Sequence, residues 1–143
     1  FYNIVDQVFI GWGVGYLGNG AVIKDLTVDA NISIVSTLSN TDKAAGIIAG
    51  YSNGASILNC TAKGTIKGYN GNTGGIVGYN NGTIENCLSE ANVNGSGHNA
   101  GGITGYNNNV IRDSYVTGTV SGKNAGGIAG VNANANLTAA QSL

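Results

Sequence analysis

The stretch GGIVGYNNGTIENC at residues 74–87 recurs as GGITGYNNNVIRDS at residues 101–114. Its opening glycine block returns as AGIIAG at 45–50 and GGIAG at 126–130, with a divergent GWGVG at 11–15. From the last glycine of one block to the last glycine of the next, the intervals are 35, 28, 27 and 25 residues. Self-similarity at a nearly constant period indicates a repeat architecture, in which each unit resembles its neighbours.

The segment that follows each copy alternates between apolar or small residues and polar ones. Alternation with period two predicts a strand with one buried and one solvated face. The positions expected to face inward in the four units are Leu26, Val28, Ala30, Ile32; Cys60, Ala62, Gly64, Ile66; Cys87, Ser89, Ala91, Val93; and Ser114, Val116, Gly118, Val120. A second strand is predicted around the glycine block, where Ile48, Ile76, Ile103 and Ile128 align. Between the two strands, the Asn- and Gly-rich residues 52–54, 80–82 and 107–109 predict a turn, because both residue types tolerate positive φ.

A unit of about 27 residues that holds only short strands cannot bury its apolar face alone, whereas stacked units can. We therefore predict an all-β fold, a parallel β-solenoid (β-helix) of about five coils, with ~25–28 residues per coil after a longer first coil. In this interpretation residues 1–143 form a single repeat domain. Because no Met opens the chain and the last coil stops near its next strand, we expect a fragment of a longer array.

Stacking also makes a prediction about charges, because equivalent outward residues of adjacent coils become neighbours. One outward column reads Lys24, Leu58, Glu85, Arg112, and another reads Asp29, Lys63, Glu90, Thr117. Opposite charges therefore meet at Glu85/Arg112, Asp29/Lys63 and Lys63/Glu90, which supports a register that was derived from apolar residues and glycines alone.

The composition narrows the classes of function. The chain has 143 residues, of which 25 are Gly, none is Pro and 9% are charged, with a net charge of −1. This balance leaves no basic face for a phosphate backbone and no polybasic anchor, so we expect no nucleic acid as a partner. No apolar run approaches the length that spans a bilayer, so we expect no membrane insertion.

Two columns are interpreted as structural ladders. Cys60 and Cys87 occupy the same inward position of adjacent coils, where Cβ atoms about 4.8 Å apart favour two reduced, buried thiols over a disulfide, whose Cβ atoms usually lie ~3.8 Å apart. The corner column Asp25, Asn59, Asn86, Asp113 lies two residues after an aligned isoleucine. Its side chains are expected to cap turn amides or bond to one another, and a cation or sugar site is the alternative.

A further column, Tyr16, Tyr51, Tyr79 and Tyr106, directly follows the glycine block. Aromatic rows can stack on sugar rings, which makes Tyr51, Tyr79 and Tyr106 candidate ligand-binding residues. The favoured alternative is an aromatic stack that fixes the register of the coils. The seven acidic residues offer no pair placed across a cleft, and His98 has no identifiable nucleophile or orienting carboxylate. We therefore predict no catalytic residue, no bound metal and no cofactor.

The block G-[GI]-I-x-G-[YV]-N, followed by an Asn-Cys or Asp-Ser pair, resembles the GLUG-motif repeats of bacterial surface proteins, over roughly residues 11–137. Such repeats are found in adhesin-like proteins and in the stalks of immunoglobulin A-cleaving metallopeptidases. The resemblance implies a non-enzymatic structural or adhesive module of a secreted or cell-surface protein. Its partners would be neighbouring repeats of the parent chain and a host or cell-surface protein or glycan. Two alternatives stay open: a carbohydrate-binding rod that uses the Tyr column, and an accessory non-catalytic region of a large secreted enzyme such as a peptidase.

Overall fold

The strands of the protein follow one another in repeating layers. The computed structural model describes residues 2–4, 7–11, 13–34, 43–68, 71–133, 136–138 and 140–142, which contain strands and no helix. The first layer holds β1 (Tyr2–Ile4), β2 (Gln7–Gly11), β3 (Val14–Leu17), β4 (Val22–Lys24) and β5 (Thr27–Ser33). The second holds β6 (Lys43–Gly46), β7 (Ala49–Leu58) and β8 (Thr61–Lys67).

The third and fourth layers repeat this order with shorter strands. The third holds β9 (Asn72–Gly74), β10 (Val77–Glu85), β11 (Leu88–Ser89) and β12 (Asn92–Asn94). The fourth holds β13 (Asn99–Gly101), β14 (Thr104–Asn107), β15 (Val110–Arg112), β16 (Tyr115–Val116) and β17 (Val120–Ser121). The fifth holds β18 (Asn124–Gly126), β19 (Ala129–Asn132), β20 (Asn136–Thr138) and β21 (Gln141–Ser142).

Three sheets run the length of the stack, because each strand pairs with its equivalent in the next layer. Sheet A has the order β1-β2-β6-β9-β13-β18, sheet B is built around β7 and β10, and sheet C around β8. The pairs are parallel, except that β1 lies antiparallel on β2. This architecture confirms the predicted all-β parallel β-solenoid.

The number of coils differs slightly from the prediction. About five coils were expected, and the solenoid makes about three turns. The second and third layers are paired on both sides in all three sheets, and the fourth is paired in the same way except at β17, which among the described strands pairs with β12 alone. The strands of the fifth layer lie at one edge of each sheet. Among the described strands, each terminal layer is therefore covered by a neighbouring layer on one side only.

The isoleucine column lies in the core as predicted. Ile48 N donates to Ile76 O at 3.0 Å, Ile76 N to Ile103 O at 2.9 Å, and Ile103 N to Ile128 O at 2.9 Å. Ile48, Ile76 and Ile103 have no exposed surface. The hydrogen bonds hold equivalent residues one above another, so the aligned apolar side chains form a continuous core.

Most of the predicted inward positions of sheet C are buried, among them Val28, Ala62, Ser89, Ala91 and Val116. Leu26 is an exception, since 36% of it is exposed. It precedes β5, which among the described strands pairs with β8 alone, so this end of the column has a neighbouring layer on one side.

The Asn-rich turn was predicted wrongly in two of its three copies, whereas in the third copy residues 108–109 do lie between two strands, β14 and β15. Residues 52–54 and 80–82 lie inside the continuous strands β7 and β10. Asn80 and Asn107 are fully buried. The chain accommodates these polar side chains within a strand because their amides hydrogen-bond to one another across layers.

The last glycine of three blocks, at Gly78, Gly105 and Gly130, lies where sheets A and B approach closely. A Cβ on Gly78 would fall on the backbone nitrogen of Ala45, and one on Gly105 would fall on that of Thr73. Gly130 repeats the arrangement, with its Cβ position 2.7 Å from Ala100 N. Sheets A and B can pack this tightly only where no side chain intervenes, which gives a physical reason for the glycine in these three repeats.

Within the described residues, no helix is long and apolar enough to cross a membrane.

Candidate functional site

Four tyrosines of sheet B stack along the solenoid, and we call Tyr16, Tyr51, Tyr79 and Tyr106 the tyrosine stack. Strand pairing places each directly in register with the next. The ring centroids are 5.4 Å apart for Tyr16/Tyr51, 4.6 Å for Tyr51/Tyr79 and 4.8 Å for Tyr79/Tyr106. The ring planes differ by 13°, 3° and 5° in the same order. The stack thus follows the spacing of the strands themselves.

An outer asparagine ladder, formed by Asn53, Asn81 and Asn108, runs beside the tyrosine stack. Asn81 Nδ2 donates to Asn53 Oδ1 at 3.1 Å, and Asn108 Nδ2 donates to Asn81 Oδ1 at 3.2 Å. At the first layer, Asn53 Nδ2 donates to the Tyr16 hydroxyl oxygen at 2.9 Å. The ladder and the stack are therefore joined by a hydrogen bond at one end.

The geometry limits how the tyrosine stack could bind a ligand. The faces of the Tyr51 and Tyr79 rings are covered on both sides by other tyrosines. A sugar that stacks on an aromatic ring needs a free face, and both faces of these two rings are occupied. Ligand binding by Tyr51, Tyr79 and Tyr106 stays a prediction, while their arrangement is that of a stack in register.

The position of Tyr79 inside the tyrosine stack also affects the protonation of its phenol group. Burial, and secondly the neighbouring Tyr106, raise the pKa of Tyr79 above its ordinary value. Both causes disfavour the negatively charged phenolate. Tyr79 therefore holds its proton more firmly than a tyrosine in water.

The corner column has an unusual backbone in common. Its residues have φ angles between 51° and 55°: Asp25 55°, Asn59 52°, Asn86 54° and Asp113 51°. Asn and Asp occupy this left-handed region more readily than other residues with a side chain, which gives the column a conformational reason for its composition. Asn59 Nδ2 donates to Asp25 Oδ1 at 2.7 Å, and Asn86 Nδ2 donates to Asn59 Oδ1 at 3.2 Å.

The two cysteines are free thiols in adjacent layers of the core, each 1% exposed. Cys60 Sγ lies 3.2 Å from Leu58 O, and Cys87 Sγ lies 3.3 Å from Glu85 O, so both thiols donate to carbonyl groups two residues earlier. The adjacent Cys60 thiol and burial raise the pKa of Cys87, so this thiol keeps its proton. Ser114 continues this column, with its Oγ accepting from Cys87 N at 3.1 Å.

The predicted charge columns are present on the outer surface. Arg112 Nη2 lies 3.1 Å from Glu85 Oε2, and Lys63 Nζ lies 3.4 Å from Glu90 Oε2. Asp29 lies in register with Lys63. Exposed ion pairs add little to stability because solvent screens them, so these pairs are evidence for the register rather than a source of stability.

The sequence did not predict the inner asparagine ladder, which we define as Asn80, Asn107 and Asn132. Asn80 Nδ2 donates to Asn107 Oδ1 at 2.8 Å, and Asn107 Nδ2 donates to Asn132 Oδ1 at 3.0 Å. Within the third layer, Gly82 N also donates to Asn80 Oδ1 at 3.1 Å. The spacing of two between Asn80, Gly82 and the buried Ile84 was the available signal, because it places all three on one face of a strand.

The sequence analysis also missed an asparagine ladder in sheet A. In sheet A, Asn99 Nδ2 donates to Asn72 Oδ1 at 2.7 Å, and Asn124 Nδ2 donates to Asn99 Oδ1 at 2.8 Å. The surplus of asparagine in the sequence therefore serves largely to join equivalent positions of successive layers.

No cluster of three or more His, Cys, Asp or Glu side chains suited to a metal ion occurs in the described part of the chain. The arrangements found here are columns of like side chains, and their chemistry is stacking and hydrogen bonding between layers.

Comparison with protein families identifies two repeats. Residues 69–94 and 96–121 each match the family model described as the GLUG motif. The central part of the chain is therefore a GLUG-motif repeat region, as the sequence predicted. No curated protein and no solved structure shows significant similarity to the chain.

Proposed function

We propose that this solenoid of GLUG-motif repeats is a non-enzymatic structural module, a spacer or adhesive rod in a secreted or cell-surface bacterial protein. The GLUG repeats and the β-solenoid fit a structural repeat module. We propose the secreted or surface location and the adhesive role because the chain resembles other proteins that contain such repeats.

The observation that carries the proposal is the continuity of like columns through the layers. Tyrosine, asparagine and isoleucine columns, together with opposite charges, join each layer to the next. Because these side chains bond to their equivalents in the next layer, the stacked layers are suited to serve as a stiff spacer along the axis of the solenoid.

The location is tested by brief protease treatment of intact cells that make the protein. A surface module releases peptides of this chain into the medium before the cells lyse, and mass spectrometry identifies them. The proposal fails if these peptides are found only after lysis, while peptides of a known surface protein in the same sample are released.

The spacer role is tested against carbohydrate binding on a glycan array. We expect no retention of the rod, because the ring faces inside the tyrosine stack are covered. Retention that is lost in Tyr79→Phe and kept in Tyr115→Phe would favour a carbohydrate-binding rod instead. Tyr115 is a suitable control because it is exposed on sheet C, away from the stack.

A further inference from the structure

The tyrosine stack places phenols of successive layers in near-parallel contact. The planes of Tyr51 and Tyr79 differ by 3°, and those of Tyr79 and Tyr106 by 5°. Because the residues are in register, each ring is nearly a translated copy of the one below it. The ring centroids are 4.6 Å and 4.8 Å apart in these two pairs, so the phenols of successive layers are held in contact.

We propose that the tyrosine stack is a site of oxidative cross-linking, at which a one-electron oxidant joins two adjacent tyrosines as dityrosine. Each phenol gives one electron to the oxidant and its hydroxyl proton to water, which leaves two phenoxyl radicals. The radicals couple through a new carbon–carbon bond between ortho carbons. The hydrogen on each coupled carbon then moves as a proton to the phenol oxygen, which restores both aromatic rings.

Hydrogen peroxide accepts the electrons and protons that the two phenols lose. The two phenols together lose two electrons and two protons, and these reduce one hydrogen peroxide to two waters when the oxidant is a haem peroxidase. The protein loses two hydrogen atoms in total. No further reactant is needed.

Proximity directs the reaction to the stack. A radical on an isolated tyrosine has to meet another molecule, whereas a radical on Tyr79 already has a phenol on each face. Holding two reactants in contact replaces a bimolecular step by a much faster intramolecular one. Tyr115 gives the contrast, because it is 46% exposed but lies in register with Leu88 and Gln141 rather than with a second phenol.

The bond would fasten the layers of the solenoid to one another. A link between Tyr79 and Tyr106 joins β10 to β14 across residues that already pair. It constrains the unfolded chain more than the folded one, as a disulfide does, so it stabilises the native state.

The experiment treats the chain at two protein concentrations with a haem peroxidase and hydrogen peroxide. We expect monomers that have lost two hydrogen atoms, with a fractional yield that does not depend on protein concentration. Peptide mapping should locate the link between neighbours of the tyrosine stack, and the melting temperature of the linked monomer should rise.

Two conservative variants sharpen the result. Tyr79→Phe keeps a ring in the stack but removes the phenol, so links at this position vanish and only Tyr16–Tyr51 can still couple within the stack. Tyr115→Phe leaves the intramolecular yield unchanged. Circular dichroism confirms that both variants fold.

Three results would overturn the proposal. The first is that links form mainly between molecules, and the second is that they map to tyrosines outside the stack. The third is that the folded monomer loses no hydrogen under conditions that oxidise the urea-unfolded chain.

Discussion

Asn80 shows how a polar side chain becomes part of this core. Its Nδ2 donates to Asn107 Oδ1 at 2.8 Å and to Gly82 O at 3.2 Å, while its Oδ1 accepts from Gly82 N. Buried polar groups are tolerated when their hydrogen-bonding capacity is met, and the next layer meets it here. The amide of Asn80 therefore fills space in the core and also requires a hydrogen-bonding side chain at the equivalent position of the next layer.

Replacing this side chain should be costly. We expect Asn80→Ala to lower the free energy of unfolding by about 2–3 kcal/mol, because Asn107 Oδ1 and Gly82 N lose a buried partner and a cavity forms. Urea denaturation followed by circular dichroism measures the change.

Ser52 provides the matched control, since it lies in register with Asn80 in the preceding layer and is also fully buried. Its Oγ has no hydrogen-bond partner among the described residues. Ser52→Ala should change stability by no more than about 0.5 kcal/mol. A loss as large as that of Asn80→Ala would show that the ladder is not the cause.

The raised pKa of Tyr79 predicts a dependence of stability on alkaline pH. A group whose pKa is higher in the folded than in the unfolded state favours the folded state as long as it is protonated. For Tyr79 this contribution to the free energy of unfolding is fully present below the unfolded-state pKa of 10.0. That stability is lost as the pH rises through the folded-state pKa. We expect the free energy of unfolding to fall above pH 10.0, and to fall less in Tyr79→Phe, in urea titrations at a series of pH values. Equal slopes in the two proteins would contradict this origin.

The two thiols should report opening of the core. Cys60 and Cys87 are each 1% exposed, so alkylation by iodoacetamide in native buffer requires the layers to separate. We expect the native chain to react far more slowly than the chain in urea, with the modified fraction followed by mass spectrometry. Rapid modification in native buffer would mean that the layer holding the modified thiol, the second for Cys60 or the third for Cys87, opens easily.

At the scale of the elements, the close approach of sheets A and B depends on glycine. A Cβ on Gly105, in β14, would fall on Thr73 N and lie 2.7 Å from the carbonyl carbon of Asn72. Both neighbours belong to the backbone, which cannot move aside as a flexible side chain does. The strand pair therefore has to shift as a whole if a side chain is introduced.

We expect Gly105→Ala to destabilise the protein by about 2–3 kcal/mol or to prevent folding, because overpacking displaces backbone on both sheets. Gly18→Ala is the matched control, since a Cβ at Gly18 meets no atom within 4 Å. That change should be neutral or slightly stabilising, because alanine restricts the unfolded chain. Thermal denaturation of both variants makes the comparison, and similar losses in the two would argue against the close approach.

The elements were predicted to different degrees, for physical reasons. The apolar alternation around Val28, Ala91 and Val116 is a local signal, so the sequence predicted the inward face of sheet C. Asn80 was assigned to a turn because its own chemistry favours turns, and the partner that overrides this preference is 27 residues away. The left-handed backbone at Asn59 and Asn86 was also missed, since alignment reveals a shared residue type but not its φ angle.

The candidate site was predicted in part. The alignment identified the tyrosine column, and the favoured aromatic stack agrees with the ring geometry. The consequence that the ring faces are covered depends on near-equal rotamers in successive layers, which a sequence pattern does not contain. Outward charges such as Glu85 and Arg112 were predictable because their register follows from the core residues.

At the scale of the whole molecule, stability is the sum of similar layers and the contacts between them. In each of the three sheets, the strands of neighbouring layers pair in parallel. One layer is therefore a unit that can be removed, provided that the register of the remaining layers is kept. A change in length by one residue instead turns each following side chain of a strand to the opposite face.

Removal of a single layer tests the account most directly. Deleting residues 79–105 places Tyr106 where Tyr79 stood, because the two are in register. We expect this shorter chain to fold into a β-solenoid by circular dichroism, with a smaller urea m-value because less surface is buried. Deleting residues 79–104 removes one residue fewer and shifts the register. This chain should be unfolded, or its ratio of folded to unfolded molecules should be several-fold lower than that of the in-register deletion. Equal stability of the two deletions, or failure of the in-register deletion alone, would contradict a solenoid built from columns in register.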